Sequence, residues 1–289
     1  MIIEDVENRA AESFLMDKKE IIVNSAITQH KIVVYSSCLK REVKVEVYLV
    51  DRNGRDPGDP LLLLNDGQEM KALGLTNTLG ALRAGGHIPG MTAVAIHAGK
   101  NRHEEYGTAE YLDYKRRGRK AKSYSLFVTK ELLPFLSEVY NISIEAARVG
   151  FAGFSLGGLS ALDIAWRNPH LFSRTGVFSG SLWWRYKKPN PQTGEFHRIM
   201  HKIVRSSEKR EGMKFWFQAG TKDEKHDRNR SGTIDAIEDT VDLIEELKRK
   251  GYGEEDIVFH LVKGGEHNFK TWSRIFPEFM LWAYGESTI

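Results

Sequence analysis

Alternating hydrophobic and polar residues near the start of the chain predict a β-hairpin. Residues 31–36 supply its first strand and residues 43–50 its second. In the second strand every other residue is hydrophobic, the period of an antiparallel strand with one buried face. These residues are Val43, Val45, Val47 and Leu49. Residues 1–27 are predicted as a lead-in segment with a short helix, and residues 51–60 as a turn-rich loop.

From residue 61 onward, short apolar segments alternate with longer segments of helical periodicity. The predicted strands lie near 61–64, 91–97, 148–152, 174–178, 214–219 and 256–262. The predicted helices lie near 69–84, 123–139, 156–167, 232–250 and 270–284. Alternation of this kind predicts an α/β fold, with a mostly parallel sheet, the antiparallel hairpin at its N-terminal end and helices on both faces. No repeat or linker divides the chain, so residues 1–289 are predicted to form one domain.

Composition narrows the class of protein. The chain has 289 residues, of which 41% are hydrophobic and 28% are charged, as expected for a folded enzyme domain. Its net charge of +3 gives no case for nucleic-acid binding. No apolar stretch approaches the roughly 20 residues of a membrane span, and the acidic segment 1–7 lacks a secretory pattern. We therefore expect a cytoplasmic protein with no membrane partner. The sequence does not determine the oligomeric state.

Cysteine and glycine patterns argue against a disulfide or a cofactor. The one cysteine, Cys38, excludes an intrachain disulfide and lies in a polar stretch, so it is interpreted as incidental. The sequence has neither a phosphate-binding glycine loop nor the Cys/His spacing of a zinc site. We expect no cofactor and no metal. A metal site in the polar cluster around His226 is the alternative to a solvated loop there.

The strand near 148–152 leads into the pentapeptide Gly153-Phe154-Ser155-Leu156-Gly157, and a helix follows. Strand, Gly-x-Ser-x-Gly and helix in this order are typical of a nucleophile elbow, a tight turn that exposes a reactive serine hydroxyl above the sheet. The glycines two residues before and after the serine leave room for the turn. The alternative is an ordinary glycine-rich connection between a strand and a helix.

A serine nucleophile needs a histidine base and a carboxylate that orients the histidine. The strand near 214–219 is followed by Asp223, our candidate for the acid, with Glu224 and Asp227 as nearby alternatives. The order serine, acid, histidine predicts a base further along the chain.

His267 is the candidate for that base. It follows the strand near 256–262 in a loop with two glycines, which let the loop fold back over the site. Of the ten histidines, it alone combines a position after a strand with the required chain order. His260 lies inside the strand and is interpreted as structural.

Acyl transfer also requires two backbone N–H groups that bind the oxyanion. One is expected from Leu156, directly after the nucleophile, and the other from the loop after an early core strand. The strand near 61–64 is followed by Asn65-Asp66-Gly67-Gln68. The backbone N–H of Gln68 is therefore the candidate for the second donor.

Four segments together resemble a known family, the esterase D-like putative esterases, in which the enterochelin esterases are the most similar members. These segments are Leu64-Asn65-Asp66-Gly67-Gln68, Glu131-Leu132-Leu133-Pro134, Gly153 to Leu162, and Ser179-Gly180-Ser181-Leu182-Trp183-Trp184. The segment 220–223 also resembles the acid loop of feruloyl esterases. The resemblance covers about residues 30–285 and implies an α/β-hydrolase fold. It implies a serine esterase with Ser155 as nucleophile, Asp223 as acid and His267 as base.

Two long connections, 98–122 and 181–212, are predicted to line the site, and a short helix is predicted near 195–206. Connections that follow strands in this fold surround the ligand. The substrate-binding candidates are Trp183, Trp184, Arg102 and His103. Aromatic faces and cationic side chains suit an anionic or aromatic ligand. The basic run 115–120 is more simply explained as a solvated loop.

Three functions remain open from the sequence. The first is a serine esterase acting through an acyl-enzyme on small-molecule esters of the siderophore (catecholate) type. The second is an esterase for feruloyl or acetyl carbohydrates, or for small thioesters such as S-formylglutathione. The third is a non-catalytic binding protein with a hydrolase fold.

Overall fold

One mixed sheet forms the centre of the molecule. The structure, a computed structural model, describes residues 20–24, 27–51, 58–188, 190 and 197–285. In these residues nine strands pair in the order β1-β2-β3-β5-β4-β6-β7-β8-β9. The strands are β1 (Glu20–Asn24), β2 (Ile27–Ser36), β3 (Arg41–Val50), β4 (Leu61–Asn65), β5 (Met91–Ile96), β6 (Val149–Phe154), β7 (Arg174–Phe178), β8 (Lys214–Lys222) and β9 (Ile257–Glu266).

Helices cover both faces of this sheet. The α-helices of the described residues are α1 (Met70–Leu73), α2 (Leu75–Ala84), α3 (Arg102–Glu105), α4 (Ala121–Leu126), α5 (Leu133–Tyr140), α6 (Leu156–Arg167), α7 (Ile199–Ser206), α8 (Asp235–Arg249) and α9 (Phe269–Tyr284). Helices α1, α2 and α9 pack against one face, and α4 to α8 lie on the other. None of the helices in the described ranges is long and apolar enough to cross a membrane.

The hairpin and the strand directions agree with the predicted α/β fold. Strands β2 and β3 pair antiparallel, with Ile32 opposite Val45 and Val34 opposite Val43. Strand β3 joins the rest of the sheet through an antiparallel pairing with β5. From β5 to β9 all neighbours are parallel. The carboxyl ends of these parallel strands therefore meet along one edge of the sheet.

Strand β4 shows how a continuous apolar run specifies a central strand. Leu61 and Leu63 belong to the hydrophobic core on one face, and Leu62 and Leu64 to the core on the other. Because successive side chains of a strand point to opposite faces, a strand covered by helices on both sides must be apolar at every position.

Several predicted boundaries were wrong. The lead-in contains a strand that was not predicted, because Glu20–Asn24 is β1, paired antiparallel with β2. The helix predicted near 69–84 is interrupted at Gly74, whose φ of 72° ends α1 in the left-handed conformation. Strands β8 and β9 run further than predicted, to Lys222 and Glu266, with a register shift near Gly220.

The helix predicted near 123–139 contains a π-helical segment between α4 and α5, Phe127–Leu132. Pro134 explains it, because proline has no N–H for the carbonyl of Lys130 and its ring displaces that carbonyl.

The short helix predicted near 195–206 is α7. Residues 1–19, 25, 26, 52–57, 189, 191–196 and 286–289 lie outside the described part. That the chain forms one domain stays a prediction.

Candidate active site

Ser155 occupies a strained turn between β6 and α6. Its backbone has φ 54° and ψ −122°, a conformation that non-glycine residues rarely adopt. Its N–H donates to the carbonyl of Phe178 at 2.8 Å, and its own carbonyl accepts from the N–H of Ser181 at 3.0 Å. Strand β7 and the segment after it therefore hold the turn on one side.

The glycines of the pentapeptide are required by close contact across this turn. A Cβ on Gly153 would lie 2.4 Å from the carbonyl oxygen of Gly157. A Cβ on Gly157 would lie 2.6 Å from a carboxylate oxygen of Asp66. Neither position can accept a side chain without moving the serine, so the predicted elbow explains the motif better than an ordinary turn does.

Asp223 directly follows β8 and interacts electrostatically with His267. Its Oδ2 accepts from the N–H of Gly220 at 3.0 Å. Its Oδ1 is buried. Burial raises the pKa of this carboxyl group above its usual value, while the N–H of Gly220, the hydroxyl of Ser179 and the charge of His267 act in the opposite direction. A carboxylate in this position is suited to accept the proton of an imidazole.

His267 directly follows β9, and its ring packs edge-on against Trp272. Partial desolvation lowers the pKa of the imidazole; the charge of Asp223 raises it and the charge of Arg102 lowers it further. No hydrogen bond within the described residues joins His267 to Ser155 or to Asp223. Hydrogen bonds of catalytic groups are often long until substrate is bound. A cavity of about 690 Å³ opens beside His267.

The two alternative acids have other surroundings. Glu224 contacts Nδ1 of His226 at 3.2 Å, and burial raises the pKa of its carboxyl group. Asp227 accepts from the N–H groups of Ser231 and Gly232, which shapes its own loop. Across the described ranges, no group of three or more His, Cys, Asp or Glu side chains could hold a metal ion.

The loop after β4 is joined to the elbow by a buried polar network. Nδ2 of Asn65 donates to the carbonyl of Gly157 at 2.8 Å, and the hydroxyl of Tyr124 donates to Oδ1 of Asn65 at 2.5 Å. Asp66 adopts the left-handed conformation, with φ 61°. Gln68 is held by its side chain, whose Oε1 accepts from the N–H of Ala98 at 3.0 Å. These contacts set the spacing between the backbone of Leu156 and that of Gln68.

Arg102 completes this network. Its Nε and Nη2 donate to the two oxygens of Asp66 at 2.6 and 2.7 Å, and Nη2 also reaches the carbonyl of Phe154 at 3.2 Å. The sequence predicts Arg102 as a substrate contact, which stays a prediction; in the structure its guanidinium group is bound to Asp66. Because these two residues lie far apart in the chain and a single ion pair has no sequence signature, the sequence could not reveal this link.

Comparison with known proteins now decides the family. A profile of the family described as Putative esterase matches residues 36–283. The chain belongs to this family. The uncharacterized protein YbbA of Bacillus subtilis is 24% identical over 160 residues, 55% of this chain and 58% of that protein.

Solved structures show the α/β-hydrolase fold. An enterobactin esterase from Shigella flexneri, solved in the presence of enterobactin, aligns with a TM-score of 0.70 and 22% identity over 93% of this chain and 60% of that one. A ferulic acid esterase aligns with a TM-score of 0.69 and 16% identity over 90% and 98% of the two chains. An S-formylglutathione hydrolase from Agrobacterium tumefaciens aligns with a TM-score of 0.63 and 16% identity over 91% and 97%.

In this member of the esterase family, the two long connections pack against each other. The guanidinium carbon of Arg117 lies 5.3 Å from the ring centre of Trp183 and 4.7 Å from that of Trp184. Trp184 is fully buried, so its ring has no exposed face for a ligand and the expectation that it contacts substrate was wrong. Trp183 is half-buried and His103 is exposed, and both stay candidates.

Most of the predicted solvated loop 115–120 is solvated. Lys115, Arg116, Arg119 and Lys120 are exposed. Arg117 is ion-paired with Asp113, and Arg119 with Glu104 at 2.9 Å.

The surroundings of His260 agree with its interpretation as a structural residue. Its ring stacks on Trp216, and its Nδ1 lies 3.2 Å from a carboxylate oxygen of Glu278.

Replacing Arg102 is expected to lower activity and shift its pH dependence. In Arg102→Gln the loss of positive charge raises the pKa of His267, so protonation inactivates the base at higher pH and the acidic limb of kcat/KM moves upward. The loss of the two contacts to Asp66 lowers kcat by about tenfold to a hundredfold.

The variant Arg102→Lys separates these effects, since it keeps the charge but loses the paired hydrogen bonds. It should lower kcat with little shift of the acidic limb. Arg119→Gln, which removes an exposed ion pair from the same connection, is the control. An unchanged pH profile in Arg102→Gln would contradict the electrostatic link to His267.

Proposed function

We propose that the chain is a serine esterase with Ser155 as nucleophile, His267 as general base and Asp223 as the orienting acid. The observation that carries the proposal is the strained backbone of Ser155, held at the carboxyl edge of the sheet by contacts from β7 and from the loop after β4. Strain of this kind persists where the surrounding structure enforces it, which is common at reactive residues. Membership of the esterase family supports the same conclusion.

The reaction has two steps. Oγ of Ser155 attacks the ester carbonyl carbon while His267 accepts the hydroxyl proton, and the N–H groups of Leu156 and Gln68 bind the oxyanion. The bond from carbon to the alcohol oxygen breaks, and the alcohol leaves with the proton from His267. Water then gives a proton to His267 and its oxygen attacks the acyl carbon. The bond from that carbon to Oγ of Ser155 breaks, the acid is released, and His267 returns the proton to Oγ.

We propose catecholate esters of the siderophore type as the substrate class. The enterobactin esterase of Shigella flexneri, similar over most of this chain, was solved with such a ligand. The half-buried ring of Trp183 offers an aromatic surface two residues after Ser181, whose N–H donates to the carbonyl of Ser155. A feruloyl ester or a small thioester is the second candidate, favoured by the alignments that span 98% and 97% of the ferulic acid esterase and the S-formylglutathione hydrolase.

A fluorophosphonate probe tests the nucleophile without knowledge of the substrate. We expect one covalent adduct on the peptide that contains Ser155, absent in Ser155→Ala. Ser181→Ala is the matched control, because Oγ of Ser181 lies 3.4 Å from Oγ of Ser155 and its loss should leave labelling intact. Labelling only at Ser181 would assign the nucleophile to that residue instead. No labelling, in a protein that also turns over no ester, would favour the non-catalytic binding protein.

A substrate panel then separates the two ester classes. The panel contains ferric and iron-free catecholate trilactones, methyl ferulate, acetylated xylan and S-formylglutathione. The proposal expects the highest kcat/KM for a catecholate ester. A higher value for a feruloyl, acetyl or thioester substrate would assign the chain to the second class.

A further inference from the structure

A second cavity, of about 530 Å³, lies beside the loop after β4. Four separate segments line it: the turn between β2 and β3 with the start of β3, residues 97–101, Glu105 in α3, and Lys120 directly before α4. Its volume is in the range of ligand pockets. We name it the lysine pocket, after Lys40, Lys44, Lys100 and Lys120.

The charge of the lysine pocket is unusual for this protein. Its lining holds five lysine or arginine side chains and two glutamates, a net charge of +3 that equals the formal net charge of the whole chain. Other cations of the same region are neutralised, as in the pair of Arg119 with Glu104. In the described part of the chain, no ion pair involves any of the four lysines of the pocket.

The floor of the pocket is formed by a neutral ion pair. Arg41 donates from Nε and Nη2 to the carboxylate of Glu105 at 2.7 and 2.5 Å, and Glu105 is only 2% exposed. Gly99 lies flat over this pair, since a Cβ there would come within 2.8 Å of the carboxylate. The charges of Arg41 and Glu105 therefore cancel each other, and the positive charge of the pocket comes from the lysines around this pair.

The lysine pocket adjoins the loop that carries the candidate oxyanion donor. The N–H of Ala98, in the pocket wall, donates to Oε1 of Gln68. Glu105, in the floor, precedes Tyr106, whose hydroxyl oxygen accepts from the N–H of Asp66 at 3.1 Å. A group bound in the pocket would thus lie next to the proposed catalytic site.

We propose that the lysine pocket binds a multiply charged anionic group, made of clustered phosphates or carboxylates. Lysine ammonium groups on flexible stems act as point charges, so they bind such groups without demanding one geometry. A concave surface with one sign of charge also concentrates anions and speeds their arrival. The anion is carried either by the ester substrate or by a separate small molecule. Binding itself does not depend on Ser155 being the nucleophile.

Calorimetry with inorganic tripolyphosphate at low salt tests this binding. We expect binding to the wild-type protein that weakens as salt is added. Affinity should fall at least tenfold in Lys44→Gln/Lys100→Gln/Lys120→Gln. It should be retained in Lys130→Gln/Lys214→Gln/Lys263→Gln, which removes the same charge from three exposed lysines elsewhere. No binding to the wild type, or an equal loss in both triple variants, would overturn the proposal.

Two further measurements separate this proposal from the proposed function and identify the source of the anion. Ser155→Ala should bind tripolyphosphate like the wild type, whatever its activity. Tripolyphosphate should compete with p-nitrophenyl hemisuccinate but not with p-nitrophenyl acetate if the pocket binds an anionic part of the substrate. If tripolyphosphate changes the rate of hydrolysis of both esters, the natural ligand of the pocket is a separate anion. If tripolyphosphate binds but changes hydrolysis of neither ester, the pocket does not lie beside the catalytic site.

Discussion

Ser155→Ala is expected to lower kcat/KM for p-nitrophenyl butyrate by about 10⁴-fold or more, to near the rate without enzyme. Alanine keeps the small volume that the elbow allows but has no oxygen to form the acyl-enzyme. The fold should survive, because the contacts of Ser155 with Phe178 and Ser181 are made by its backbone. Steady-state hydrolysis, together with a thermal unfolding curve for each protein, measures both points.

The neighbouring hydroxyl supplies the control for this result. Within the described residues, the side chain of Ser155 has one hydrogen-bonding neighbour, Oγ of Ser181 at 3.4 Å. Ser181→Ala removes this neighbour without removing the nucleophile. Its kcat/KM should stay within about tenfold of the wild type, the loss typical of a single neutral hydrogen bond. If Ser155→Ala and the wild type were equally active, the assignment of the nucleophile would be wrong.

Asp223→Asn is expected to lower kcat by about 10³- to 10⁴-fold, whereas Glu224→Gln should change it less than about threefold. An amide at position 223 can donate to the imidazole and so favours the wrong tautomer, and it cannot stabilise the imidazolium that forms during the reaction. Asp223 interacts with His267, whereas the nearest partner of Glu224 is His226 on the exposed side of the loop. The two variants are matched, since each replaces a carboxylate by its own amide.

The comparison of these two variants decides the acid. Rates measured at several pH values exclude a simple shift of the pH optimum as the cause. A large loss in Glu224→Gln with a small one in Asp223→Asn would assign the acid to Glu224. Equally small losses of kcat in both variants would show that neither residue is the catalytic acid.

Local patterns predicted the sheet well where burial alone decides the sequence. Strand β4 needs apolar residues at all of its central positions because both faces are covered, and the first part of β3, from Val43 to Val47, needs them at every second position. Both signals are visible without a structure. The ends of β8 and β9 were missed because Gly220, Gly264 and Gly265 resemble loop residues, although backbone pairing between the two strands keeps the segment extended.

By itself, the sequence determined the α/β fold, the elbow at Ser155 and the positions of Asp223 and His267 after their strands. These features depend on periodicity and on neighbours in the chain. Only the tertiary structure revealed the Asp66–Arg102 pair that joins the loop after β4 to the elbow, the burial of Trp184, and the convergence of four unpaired lysines. Each of these depends on side chains that are distant in the chain, and their contacts form only once the sheet is assembled.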